Sequence, residues 1–204
     1  MMENSFYSDR FSYHEIAQLI PKKSRVLDLG CGNGELLELL INQKEIVGRG
    51  IDKDEQMIIE CIGKGLSVFQ GDLEEGLVEH EDHSYDYVIL NQTLQMIHNP
   101  VFLLNEMLRV GNRVVVNFPN FGFFINRIQL GIQGKMPVNK NIPYEWYNTP
   151  NIHFCTRKDF MVLCNQLGIN IIDEIAIHRG RRVRIGKSLF SSLICVVLEK
   201  PVEK

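Results

Sequence analysis

Residues 26–35 read Val26-Leu27-Asp28-Leu29-Gly30-Cys31-Gly32-Asn33-Gly34-Glu35, and the fold of the chain turns on how this stretch is read. The run from Arg25 to Leu29 has the composition of a buried strand. It gives way to a turn with glycine at positions 30, 32 and 34, and Glu35 to Ile41 then places apolar residues at helical spacing. Strand, glycine-rich turn and helix together make a ligand-binding corner. Glycines let the main chain come within contact distance of a ligand and take left-handed conformations that other residues resist.

Two ligand classes use such a corner: pyrophosphate dinucleotides and S-adenosylmethionine (SAM). The dinucleotide pattern G-x-G-x-x-G would put its third glycine at position 35, where this chain has Glu35. A carboxylate in the first helical turn repels a pyrophosphate seated on the helix N-terminus. SAM carries no phosphate, and its sulfonium and ammonium groups are cations. The turn therefore favours SAM.

Working outward, Asp52 lies 22 residues beyond Gly30, at the end of the next strand-like run, Glu45 to Ile51. A carboxylate there can accept from both ribose hydroxyls, or it can cap the helix that opens at Asp54. Asp72, in Gln70-Gly71-Asp72-Leu73 after the short run Leu66 to Phe69, is placed for the adenine amino group or for an ordinary turn. Tyr85 to Leu90 is a fourth strand, ending in Asn91-Gln92-Thr93-Leu94, whose amides could orient the amino-acid part of SAM or a substrate. The expected cofactor-binding set is thus Asp28, Gly30, Gly32, Asn33, Gly34, Asp52, Asp72, Leu73, Asn91 and Gln92. The catalytic residue is open, with His98 and His153 as candidate general bases, and solvent-exposed or structural histidines are the alternative. The Asn/Asp-Pro-Pro-aromatic motif of exocyclic-amine methylation is absent from this strand end, which counts against an adenine- or glutamine-directed enzyme. Methyl transfer is an in-line displacement helped mainly by alignment and dryness, so the lack of an evident triad or metal cluster is neutral.

A helix-like pattern from Pro100 to Arg109 and a valine-rich strand from Arg113 to Phe118 continue the alternation. Tyr13 to Ile20 reads as a leading helix, and Thr156 with Asp159 as a capping box for a helix to Leu167. Ile169 to Ile177 and Leu189 to Leu198 read as a closing strand pair. This rhythm predicts an α/β fold of Rossmann-like type: a mostly parallel seven-stranded sheet, helices on both faces, and an insertion after the fifth strand. The whole chain, 1–204, is expected to be one domain, with residues 117–156 as a lid or insertion.

Composition bounds the function. The 204 residues carry a net charge of −3, against the basic footprint of a nucleic-acid binder, and no separate basic recognition domain is visible. The five cysteines are scattered and form no CxxC pair, which fits reduced thiols better than a disulfide frame or zinc site. The polar start, with Glu3 and Asp9, is no signal peptide, and the apolar run Leu193 to Leu198 is far short of a bilayer span. A cytoplasmic protein with no membrane and no metal is expected.

With these residues on the page, Asp28-Leu-Gly-Cys-Gly-Asn-Gly34 with Asp52 and Asp72 resembles the class I SAM-dependent methyltransferases over Arg25 to Phe118. The second half is more specific. Asn117-Phe-Pro-Asn-Phe-Gly122, Gly134-Lys-Met-Pro137, and Pro143-Tyr-Glu-Trp-Tyr-Asn-Thr-Pro-Asn-Ile-His-Phe-Cys-Thr156, with Gln95, resemble the methionine biosynthesis protein MetW family, over about Ile20 to Ile177. Phe123-Phe124 and the basic segment from Arg179 look like departures or variable positions. The resemblance implies work alongside a homoserine O-acetyltransferase or O-succinyltransferase, as an accessory or regulatory subunit that senses SAM or as a methyl-transferring one. An autonomous small-molecule methyltransferase is the alternative. In the insertion, Tyr144, Trp146, Tyr147 and His153 are a candidate acceptor or partner surface, unless the aromatics pack into a small core of their own. Arg179 to Lys187 reads as a solvated hairpin or as a site for phosphate or an acidic partner.

Overall fold

The short, mostly apolar stretches found in the sequence become adjacent strands, and the central ones bury both faces. A computed structural model describes residues 6–200; residues 1–5 and 201–204 of the expected 1–204 domain, Glu3 among them, lie outside the described residues. Helix α1 (Phe6–Leu19) leads into β1 (Arg25–Leu29), which is buried from Val26 onward, and then into α2 (Glu35–Lys44). β2 (Val47–Asp52), α3 (Glu55–Gly63) and β3 (Val68–Gln70) follow, then β4 (Tyr85–Asn91), α4 (Pro100–Val110) and β5 (Gly111–Pro119). All five strands to this point run parallel, so their carboxyl ends share one edge of the sheet. Ligands of open α/β sheets bind at that edge.

The remainder is α5 (Phe124–Gly131), α6 (Arg157–Gln166), β6 (Asn170–His178), β7 (Arg181–Arg182), α7 (Lys187–Phe190) and β8 (Leu193–Glu199). The sheet order is β3-β2-β1-β4-β5-β8-β6-β7, with the last three strands joined antiparallel. Eight strands stand where seven were expected. The extra one is the two-residue β7, created by a tight turn whose central residues, Arg179 and Gly180, both have positive φ (46° and 72°). That is the left-handed pair a two-residue hairpin requires.

Strand alternation sorts the core into two layers. Leu27, Leu29, Val88, Leu90, Val114 and Val116 face α4 and α6, where Leu103, Leu104, Met107 and Phe160 pack. Val26, Tyr87, Ile89 and Val115 face α1 and α2, meeting Ile16, Leu36, Leu37 and Leu40. Thr156 forms the expected capping box with Asp159. Some boundaries move. Glu45, expected in the second strand, closes α2 in a left-handed conformation, and β8 begins at Leu193, after the single helical turn α7.

The insertion is tied down by asparagines. Buried Asn120 donates to the carbonyls of Ser188 (3.1 Å) and Ser191 (2.8 Å) and accepts from the amides of Gly122 (3.1 Å) and Arg157 (3.2 Å). Asn126 donates to the carbonyls of Asn120 (3.3 Å) and Phe121 (3.1 Å) and accepts from Asn139 Nδ2 at 2.7 Å. Phe123 packs on His178 and Phe124 on Phe190, so the two phenylalanines read as departures brace α5 against β6 and α7.

Candidate functional site

The glycine-rich turn is held in place by hydrogen bonds within the protein. The amides of Gly30 and Cys31 both donate to the Ile51 carbonyl (2.8 and 3.1 Å), fastening the turn to β2. Lys64 Nζ donates to the Asn33 carbonyl at 2.7 Å, and Cys61 Sγ to the Gly32 carbonyl at 3.2 Å. Gly30 and Gly32 are glycines for different reasons. A Cβ on Gly30 would strike Thr93 Oγ1 at 2.6 Å, whereas one on Gly32, at φ +52°, would project into open space. Close approach to a ligand is therefore a property of Gly32, while Gly30 serves packing against the β4 loop.

Two cavities open along the shared strand edge and meet at Gly30 and Met96. The first, of about 290 Å³, is lined by Asp28, Gly30, Gly32, Asn33, Asn91 and Gln92 of the expected set, together with Tyr144. The second, of about 280 Å³, is lined by Gly30, Asp52, Asp72, Leu73 and His98. Gly34 lines neither; it precedes α2 in a left-handed conformation, against Leu66 and Cys61. Trp146, Tyr147 and His153 also lie outside both cavities.

Asp52 does not cap α3; its carboxylate ties the glycine-rich turn to the start of that helix. Oδ2 accepts from the Gly32 amide at 2.7 Å and Oδ1 from the Asp54 amide at 3.0 Å, while Asp54 itself caps α3. Each carboxylate oxygen keeps a second lone pair. Asp72 is exposed and accepts from the Glu74 amide at 3.0 Å, capping a 3-10 turn. The Asn33 side chain is engaged with Glu35. Asn91 and Asn117 sit in register on β4 and β5, with Asn117 Nδ2 donating to Asn91 Oδ1 at 2.6 Å. Gln92 follows at φ 55°, its amide donating to the Asn117 carbonyl at 2.7 Å.

Asp28 is electrostatically the most unusual residue of the site. It is buried, and its Oδ1 has no hydrogen-bond partner among the described residues. Burial, reinforced by the nearby negative charge of Asp52, pushes its pKa up to about 7. Burial also pushes the neighbouring Cys31 and Cys61 thiols up, so neither is an activated nucleophile.

The histidines stand at the rim. The exposed His98 imidazole contacts Glu74 Oε1 at 3.1 Å, and the same oxygen accepts from the His98 amide at 2.7 Å. His153 Nε2 lies 3.3 Å from the His98 carbonyl, and the Ile152 and His153 amides donate to the Gln95 carbonyl (2.8 and 3.0 Å). These bonds clip the insertion to the loop after β4. The insertion contributes Lys140, Asn141, Pro143, Tyr144, Pro150 and Asn151 to the first cavity, and α1 contributes Tyr13. Apart from Tyr144, none of these was singled out from the sequence. The one signal available was the asparagine-rich composition of residues 117–151.

Between the two cavity-lining legs of the insertion, Trp146 and Tyr147 are 71% and 69% exposed and meet edge-on at 5.8 Å. They do not form a core of their own. In the basic segment Arg182 is bound to Glu15 (2.8 Å) and Gln18 (2.8 Å), and Lys187 lies 3.7 Å from Glu174, whereas Arg179, Arg181 and Arg184 are exposed without ion pairs among the described residues. Among the described residues no helix is long and apolar enough to cross a membrane.

Comparison with known proteins agrees with this geometry. The chain is 37% identical over 179 residues to the bifunctional methionine biosynthesis protein MetXA/MetW of Rhodopirellula baltica, an alignment covering 82% of this chain and 29% of that protein. The chain thus spans less than a third of that relative's length. Among solved structures it superposes on a chain of the Haloferax volcanii complex between the Trm112 methyltransferase activator and a methyltransferase. The TM-score is 0.69 at 16% identity, over 98% of this chain and 94% of that one. It superposes equally on an S-adenosylmethionine dependent methyltransferase from Mesorhizobium loti, with TM-score 0.69 and 14% identity, over 93% of this chain and 98% of the other. At such identities the likeness establishes the fold. The pattern of the family described as "Methionine biosynthesis protein MetW" matches residues 10–197, nearly the full length, and the chain belongs to that family.

Proposed function

We propose that this protein binds SAM along the shared strand edge and serves methionine biosynthesis in the cytoplasm as the accessory or regulatory partner of a homoserine O-acetyltransferase or O-succinyltransferase. The observation that carries the partner half is the relative that joins MetXA and MetW in one chain. Covalent joining keeps two modules at high effective concentration, an advantage when they act on each other.

Two features support SAM. Gly32 leaves open space where any side chain would stand, and Asp28 Oδ1 is a buried acceptor with no donor. A cationic ligand suits both. In this reading Asp52 accepts from the ribose, Asp72 and Leu73 border the adenine, and Asp28, Gly32, the Asn33 main chain, Asn91 and Gln92 surround the amino-acid end. SAM supplies an activated methyl group when bound. SAM is also the downstream product of methionine, which makes it a fitting feedback signal. A ligand seated there touches the insertion that displays Trp146 and Tyr147, so SAM and the acyltransferase should alter each other's affinity by the same factor.

The second reading, an autonomous small-molecule methyltransferase, is favoured by the run of the first cavity beneath the insertion, which would then select the acceptor. One experiment separates the two. The protein is co-expressed with the homoserine acyltransferase of its own cell, and complex formation and acyltransferase activity are followed across SAM concentrations. Wild type should form the complex and respond to SAM. Trp146→Ala should lose most of the complex, since a single aromatic anchor can contribute ≥2 kcal/mol. If wild type forms no complex with any such enzyme, the accessory reading is wrong.

A further inference from the structure

The first cavity is lined by just two charged side chains, and they have opposite sign. Asp28 lies at its floor, with an unpartnered oxygen on a residue that is 1% exposed. Lys140 comes from the insertion and makes no ion pair among the described residues. The polar remainder is chiefly amide, from Asn91, Asn141 and Asn151. One anion, one free cation and neutral donors complement a zwitterion, the head group of an α-amino acid.

The cavity, of about 290 Å³, has room for such a head group. The neighbouring cavity, bordered by Asp52 and Asp72, takes up beyond Gly30.

We infer that the insertion reads an α-amino-acid head group: Lys140 pairs with its α-carboxylate while Asp28 faces its α-ammonium. This rests on the SAM reading above and deepens it. Lys140 stands on the leg of the insertion that precedes Trp146, and Asn151 on the leg that follows. A carboxylate held by Lys140 therefore sets the position of the exposed aromatic tip. Such a site distinguishes SAM from adenosyl compounds that lack the carboxylate or the whole head group.

The test uses the full chain and its single tryptophan, Trp146. Calorimetry and Trp146 emission are recorded with SAM, decarboxylated SAM and 5′-methylthioadenosine, and with L-methionine alone or beside methylthioadenosine. Wild type should prefer SAM to decarboxylated SAM by about tenfold or more, the scale of one charge-assisted pair. SAM should shift Trp146 emission and methylthioadenosine should not. Lys140→Gln should erase the preference while leaving methylthioadenosine affinity unchanged, and Lys140→Arg should restore it; Lys140 is exposed, so neither change threatens folding. Lys140-dependent binding of free L-methionine would keep the zwitterion site and assign it to a free amino acid. SAM binding whose carboxylate preference survives Lys140→Gln overturns the inference and leaves the SAM reading intact. Binding of none of these ligands overturns both.

Discussion

Asp28→Asn should make the ligand-free protein more stable while weakening its hold on SAM. Burial first, and the charge of Asp52 second, lift the Asp28 pKa from 3.8 to about 7. The folded state therefore binds the proton more tightly than the unfolded chain. Stability derived from the neutral carboxyl is fully present below pH 3.8 and is lost as pH rises to about 7. At ~1.4 kcal/mol per pH unit, the ionised carboxylate costs about 4 kcal/mol above pH 7. At pH 5.5 the same linkage gives about 2 kcal/mol. Asparagine has nearly the same shape and never ionises. Urea unfolding of both proteins at pH 5.5 and 8.5 should give the variant an advantage of about 2 kcal/mol at the lower pH and about 4 at the higher, with equal m-values. A difference that does not grow with pH would refute the reasoning.

The ligand side of the same argument has the opposite sign. A cation beside Asp28 favours its ionised form, so SAM binding should release a proton from wild type near pH 7 and affinity should rise as pH climbs through that value. Calorimetry in buffers of differing ionisation enthalpy reads this release directly, and Asp28→Asn should abolish it.

Asp52→Ala should weaken SAM by about 1.5–3 kcal/mol, roughly 10- to 150-fold in Kd by calorimetry; an unchanged Kd would remove the ribose role. Because Asp52 also holds the Gly32 and Asp54 amides, the melting temperature should fall slightly as well. Gly32→Val should abolish SAM binding and leave far-UV circular dichroism intact, since its side chain enters open space; the positive φ adds strain of about 1–2 kcal/mol. His98→Ala should spare any SAM turnover detected with metabolite extract, because its ring is exposed and engaged with Glu74. A 10²–10⁴-fold drop, the scale of a lost general base, would instead establish catalysis through His98.

What was legible in the sequence was whatever local chemistry decides. The strand–turn–helix at Val26 to Glu35, the capping box at Thr156 and the parallel strands β1 to β5 all follow from periodicity, glycine and caps. A hairpin was expected over Arg179 to Lys187, but its tight turn at Arg179-Gly180 escaped because non-glycine φ > 0 is hard to foresee, and that turn added β7 to the sheet. The internal order of the insertion escaped for a different reason. It comes from long-range side-chain bonds: Asn120 reaches Ser188 and Ser191, and Asn141 reaches Ser192 at 3.4 Å. Such bonds leave no period to read, and even α5 sits in a stretch with no N-cap side chain to announce it.

The same contrast separates the two halves of the site. Asp28, Gly32, Asp52 and Asp72 hang on strand ends, so a spacing rule finds them. Lys140 and Asn151 reach the cavity only after the insertion has folded back over it, pinned by the Gln95 carbonyl. Their positions depend on contacts of the insertion that lie outside the glycine-rich turn. A chain can therefore keep the SAM-type corner of its fold while the insertion takes on a new task. For this family that task should be sought where the corner and the insertion meet: at the cavity shared by Asp28 and Lys140.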